Sequence, residues 1–172
     1  MFERLYQGLT LIELLMVLTV AAILAAAAVP AFLDLVAKQR LKGAAETLYG
    51  HLQHARLMAI KENMPITVTF QDSVQRDDWC YGLSDTGPCR CETGSNCYLD
   101  GGSGPTIGPK DFRGIDLRSN FHRDQVTFKP LLGAGNAGTV ALSRGSQSIL
   151  IIVSTLGRVR MCSDHISGYP PC

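Results

Sequence analysis

Apolar positions along this chain follow three successive rules. From Leu14 to Leu33 no residue carries a formal charge, twenty positions in a row. As a helix this run spans about 30 Å, enough for the hydrocarbon core of a bilayer. Past Pro30 the pattern narrows to a one-sided stripe of Leu41, Ala44/Ala45, Leu48, Leu52, Ala55 and Ala59. Spacings of three and four predict a helix that buries a single face. Lys38, Arg40, Lys42 and Glu46 fall mostly off that face. Gly43 and Gly50 each cost about 1 kcal/mol relative to alanine, so this half relies on packing. Pro65 restricts the residue before it and predicts the helix end at "KENMP", while Pro30 predicts a kink or weak point inside the long pattern.

After Pro65 the period shortens to two. "ITVTF" (66–70) alternates as a strand does, with "WCYGL" (79–83) as its partner across a turn containing Asp77-Asp78. Residues 84–116 are rich in Gly, Pro, Ser and Cys and read as a long surface loop. Then follow "QVTF" (125–128), "TVALS" (139–143), "SILIIVS" (148–154) and "GRVRMC" (157–162). The expected class is α+β: a long N-terminal helix, membrane stem plus amphipathic half, packed on an antiparallel β-sheet head.

A length of 172 residues suits one domain with a sizeable core. Sixteen Lys+Arg against fifteen Asp+Glu give a net +1, so any anion site must be a local patch rather than a global field. Six cysteines, Cys80, Cys89, Cys91, Cys97, Cys162 and Cys172, are many for a reducing compartment; behind an export-like segment they read as disulfides. A four-sulfur zinc site is the rival, but the paired two-residue ligand knuckles of structural zinc are missing. Cys162 and Cys172 are the easiest pair to assign, because they stand apart and close a short Gly/Pro-containing loop. No metal or other cofactor is expected.

One carboxylate, Glu13, stands at the mouth of the greasy run. A secretory signal peptide would need several basic residues ahead and a small-x-small cleavage site behind; only Arg4 precedes the run, and the apolar pattern flows into the amphipathic helix. "G-L-T-L-I-E-L" followed by the apolar run resembles the class III leader junction of type IV pilins and pseudopilins. The resemblance implies cleavage between Gly8 and Leu9 by a prepilin peptidase on the cytoplasmic face, with N-methylation of Leu9. Most members have Phe at that position. The implied divisions are a leader (1–8), a transmembrane and filament-core stem (9–37) and a globular head (38–172). The precursor would cross the inner membrane once with its head in the periplasm, then move to the pilus and cell surface. Positive charge favours the Lys38/Arg40/Lys42 side, so charge bias alone does not give that orientation. A carboxylate in a membrane helix favours a cationic partner. The resemblance supplies one, the amino terminus of a neighbouring subunit in the filament. A local role exists too, since Thr10-x-x-Glu13 is a capping-box pattern.

Catalytic lookalikes dissolve on inspection. "GAGNAG" (133–138) fits G-x-G-x-x-G, but that fingerprint needs a strand before and a helix after. "TVALS" follows instead, so a glycine turn in a hairpin is expected. "DTG" (85–87) lacks the second carboxylate copy of an aspartic protease. His51 and His54 have no glutamate in a metalloprotease arrangement and read as a solvated or helix-packing pair. No nucleophile, base and orienter assemble, so an enzyme is not expected.

The tail carries a sharper pattern. In "GRVR", Arg158 and Arg160 lie two residues apart, so an extended backbone puts both on one face about 6.6 Å apart, with Val159 directed inward. Each guanidinium fork can take a phosphate; the bland alternative is a solvated sheet edge. Arg144, Lys129 or Arg123 would extend the patch if the fold brings them close. Over essentially the whole chain, stem, head and tail resemble the FimT/FimU (GspH-like) branch of minor pilins. The head's part rests on "ARLMAIKENMPITV" (55–68), the Trp79–Gly82 strand and "GRVR". In FimT-type members a G-R-x-R motif is implicated in DNA capture during natural transformation, and Gly157, Arg158 and Arg160 match it. The resemblance thus implies a minor pilin acting in pilus assembly at or near the tip, with other pilins and DNA phosphates as partners. A GspH-like pseudopilin of a type II secretion system is the alternative.

Overall fold

The computed structural model describes residues 10–73 and 78–172, without the side chains of residues 30 and 31. The leader, the Gly8–Leu9 junction and Asp77 lie outside the described residues, as do the side chains at the expected Pro30 bend.

Helix α1 runs from Leu11 to Lys61. Thr10 starts it: its Oγ1 accepts the Glu13 backbone N–H at 3.3 Å, satisfying one of the amides that a helix start leaves open. The chain divides into two compact units, one ending at Ala37 and one spanning Lys38–Cys172. In the first, every described side chain from 11 to 29 is exposed, including Leu11, Val17, Leu18 and Ile23. The helix is long and apolar enough there to cross a membrane.

In the second unit the predicted stripe is the buried face: Leu41, Ala45, Leu48, Leu52, Ala55 and Ala59 are fully covered. The strands that follow are β1 (Ile66–Gln71), β2 (Cys80–Ser84), β3 (Tyr98–Leu99), β4 (Gly102–Ser103), β5 (Thr106–Ile107), β6 (Asp116–Ser119), β7 (Gln125–Phe128), β8 (Gly138–Arg144), β9 (Gln147–Val153) and β10 (Val159–Cys162). They form not one sheet but two antiparallel four-stranded sheets, β5-β2-β1-β7 and β10-β9-β8-β6, beside the small hairpin β3-β4. Inward residues of both, among them Ile66, Val68, Leu117, Val126, Val140, Leu142, Ile149 and Ile151, join the helical stripe in one core. Just past β1, Ser73 N–H donates to the Leu117 carbonyl, and Ser73 Oγ accepts the Leu117 N–H, both at 2.9 Å. This exchange stitches the end of the first sheet to β6.

Two expectations change. The 84–116 segment is not plain loop, since β3, β4 and β5 lie in it. Their pairings span only two residues each, too short to leave an alternating pattern. "GAGNAG" is not the turn of a hairpin: β7 and β8 belong to different sheets, Gly133 and Gly135 lie in the crossover between them, and Gly138 opens β8. Asn136 there bonds the free edge of β7, accepting the Thr127 N–H at 2.9 Å and donating to the Gln125 carbonyl at 2.7 Å. A strand follows, so the dinucleotide geometry is excluded.

The disulfides are Cys80–Cys91, Cys89–Cys97 and Cys162–Cys172, and all six sulfurs are used. That removes the zinc alternative. Gly82 in β2 faces the first two bridges, where a Cβ would stand 2.7 Å from Cys89 Sγ and 2.9 Å from Cys97 Sγ. The glycine allows the staples to lie flat on the strand. The third bridge closes a tail that is tied to α1. Lys42 Nζ donates to the Ser167 carbonyl at 2.9 Å, and Tyr169 OH donates to Glu46 at 3.0 Å.

Candidate functional site

Strands β9 and β10 pair with Val153 opposite Val159 and are joined by residues 154–158. Ser154 N–H donates to the Arg158 carbonyl at 3.0 Å and Gly157 N–H to the Ser154 carbonyl at 2.8 Å. Gly157 has φ +72°. This is the hairpin loop that ends in a left-handed glycine bulge. A Cβ on Gly157 would also overlap the carbonyl oxygen of Gly133. Glycine is therefore required twice over, by the backbone angle and by the neighbouring loop.

Beyond that glycine the burial alternates: Arg158 is exposed, Val159 is 4% exposed and faces the core, and Arg160 is exposed. Two guanidinium groups stand in solvent on a strand fixed from below by Val159. Gly135 N–H donates to the Thr155 carbonyl at 3.2 Å, tying the crossover loop to the hairpin turn. Lys129 opens that same loop, its N–H donating to the Ala134 carbonyl at 2.7 Å, so it joins the neighbourhood of the motif. Arg144 does not. It lies at the other end of β9, a strand of about 20 Å, against Gly114. Arg123 sits before β7 and is separated from Lys129 by that strand.

Arg56 of α1 carried no signal in the sequence, yet the fold brings it here. A Cβ on Gly157 would stand 3.3 Å from its Nε, and one on Gly133 would stand 3.1 Å away. Exposed leucines border the same loops: Leu131, Leu132 and Leu156 are each at least 74% exposed.

The histidines separate. His54 is exposed, whereas His51 is half-buried with Nδ1 3.0 Å from Tyr81 OH. Burial, and then the nearby His54, push the His51 pKa below its ordinary value. Burial raises the Tyr81 phenol, which stays protonated. Among the described residues no group of three or more His, Cys, Asp or Glu side chains is arranged to hold a metal ion. Asp85 of "DTG" accepts the Asp100 backbone N–H at 2.9 Å, and Thr86 bonds Ser84, as turn residues do. Glu13 lies on the exposed first turn of α1.

The family model for the type II transport protein GspH matches residues 44–157, two thirds of the chain. The chain belongs to the GspH family. The model for the prokaryotic N-terminal methylation motif matches residues 4–29. Among solved structures, this GspH-family protein is similar to the minor pseudopilin EpsH from the type 2 secretion system of Vibrio cholerae. The identity is 12% over 74% of this chain and 99% of that one, with a TM-score of 0.56. It is also similar to the type IV minor pilin FimU of Pseudomonas aeruginosa, at 19% identity over 72% of this chain and 88% of that one, TM-score 0.50. These two likenesses concern the fold, a long N-terminal helix with antiparallel sheets. A search of curated proteins gave no match. Membership accounts for the general plan, a pilin-like subunit of the type IV pilus and type II secretion class with a membrane-type N-terminal helix.

Proposed function

We propose that the chain is a minor pilin of a type IV pilus. Its precursor sits in the inner membrane as a single pass with the head in the periplasm. A prepilin peptidase cuts after Gly8 and Leu9 is methylated. The stem then packs among other pilins, at or near the tip of the filament. The supporting observation is the exposed apolar face of α1 from 11 to 29, which nothing in its own unit covers and which follows a methylation-type motif. Glu13 would find its counter-charge on the amino terminus of an adjacent subunit, while Thr10 caps its backbone. Replacing Gly8 with Trp should leave longer, unprocessed protein in the membrane; normal maturation would overturn the assigned cut.

The same head would bind DNA without sequence preference through Arg158 and Arg160. Support comes from their exposure on either side of a buried Val159. Two phosphate contacts give a salt slope of about −1.8 on duplex DNA, with affinity of roughly 10⁻⁴–10⁻⁶ M. Phosphate contacts position the duplex and read no bases. Changing both arginines to Gln should weaken a low-salt gel shift, and an unchanged shift would remove the DNA role while leaving the assembly role. A second reading, a pseudopilin of a type II secretion system, is supported by the name of the matching family. Deleting the gene and scoring piliation against secretion decides between the two.

A further inference from the structure

Three segments distant in sequence meet around one side chain. The last turns of α1, the Gly133 loop and the β9–β10 turn all touch Arg56. A Cβ on Gly133 would stand 2.8 Å from Arg56 Cγ, and one on Gly157 would press on its Nε. Both glycines have positive φ, +62° and +72°, so each loop turns its bare backbone toward the arginine. The Nε is buried and has no hydrogen-bond partner. Among the described residues the guanidinium makes no hydrogen bond or ion pair at all.

That is unusual for an arginine. Side chains this long normally keep the charged head in water or pair it when it is covered. A buried donor without an acceptor is destabilising and is rare in native proteins. Here the stem is held by two glycine loops, one nitrogen is shielded, and among the described residues no carboxylate stands within ion-pair distance. Arg56 as a whole stays partly exposed, so part of it remains open to a ligand. Arg158 follows Gly157 directly, and Arg160 lies two residues on. A partly desolvated guanidinium held against the turn that leads into two solvent-facing arginines is a preorganised seat for an anion.

We infer that Arg56 is a third phosphate-contacting arginine, sharing the nucleic-acid backbone with Arg158 and Arg160. This rests on the DNA-binding reading above and adds a residue from a different element. It also assigns a use to the two glycines, whose bare backbones hold the helix arginine against the strand motif. Three contacts in place of two steepen the expected salt slope on duplex DNA from about −1.8 to about −2.7.

The test uses the full chain in a neutral detergent, with a short mixed-sequence duplex as probe and binding measured across a salt series. Arg56→Gln should weaken low-salt binding about tenfold, as expected for one lost charged hydrogen bond, and flatten the slope by about 0.9. Arg56→Lys should recover the slope, because it keeps the charge. Wild-type affinity and slope in Arg56→Gln overturn the inference, while a loss in the Arg158→Gln/Arg160→Gln pair keeps the DNA reading. If that pair also binds normally, the DNA reading falls and the inference with it. A lowered melting temperature in Arg56→Gln whose slope Arg56→Lys does not restore makes the arginine structural only, which also overturns it. So does Arg56→Gln that binds DNA normally but fails to join filaments, since the bordering leucines would then mark a protein contact.

Discussion

One helix obeys two different rules of burial. From 11 to 29 every described side chain is exposed, and past Glu13 the helix is uncharged and almost wholly apolar all the way round. From Leu41 to Ala59 it is apolar on one stripe, and that stripe is covered by the two sheets. A helix apolar on all sides is built for surroundings other than water, whereas a striped helix supplies one wall of its own core. The head half is explained within this chain. The stem half has no cover within its own unit, and its length and composition fit the membrane-type helix of the family.

The largest test of that contrast is Glu13, the carboxylate at the start of the stem half. Glu13→Gln leaves the cap intact, because the bond to Thr10 uses the backbone N–H. Removing only the charge should therefore spare the helix start yet abolish incorporation into filaments, scored by immunoblotting sheared fibres. Incorporation at the wild-type level would sever the proposed link between this carboxylate and a neighbouring amino terminus.

Next in size is a matched pair of truncations. Leu48 is fully buried, so Leu48→Ala should destabilise the head by about 2–5 kcal/mol. Leu18 is 57% exposed, and Leu18→Ala should leave the thermal melting of the head unchanged. Equal losses in the two variants would mean that the stem half shares the head's core, and the contrast would vanish.

Both halves of the helix were legible in the sequence because each carries a strong, sustained pattern: an uncharged run in one, a stripe from Leu41 to Ala59 in the other. The longer strands were legible for the same reason, and β7 coincides with "QVTF". Two-residue strands such as β3 and β4 hold no period to detect. The division into two sheets was hidden because alternation shows which residues face inward but not which strand pairs with which. At the candidate site, Arg158 and Arg160 stood out through local spacing. Arg56 did not, because its place depends on Gly157, about a hundred positions further along the chain, lying against the helix. Lys129 and Arg144 were equal candidates in the sequence and separated only when β9 put them at opposite ends.

The smallest expected effect is acid sensitivity confined to the head half. The stem run from Leu14 to Leu33 has nothing that titrates, whereas His51 lies on the other half against Tyr81. Burial holds the folded His51 pKa below the 6.5 expected of the unfolded chain. Between those two values the unfolded state binds more protons, so stability must fall as pH drops through 6.5 and level off below the folded value. The Tyr81 phenol lies 3.0 Å from Nδ1, so protonation of the imidazole leaves Nδ1 able only to donate in that contact. Melting followed from about pH 7.5 down to about pH 5.5, near the ordinary histidine range, should show a small downward step. In His51→Gln that step should disappear. A step of the same size in the variant would assign the acid sensitivity to other groups and leave the Tyr81 contact without a role in stability.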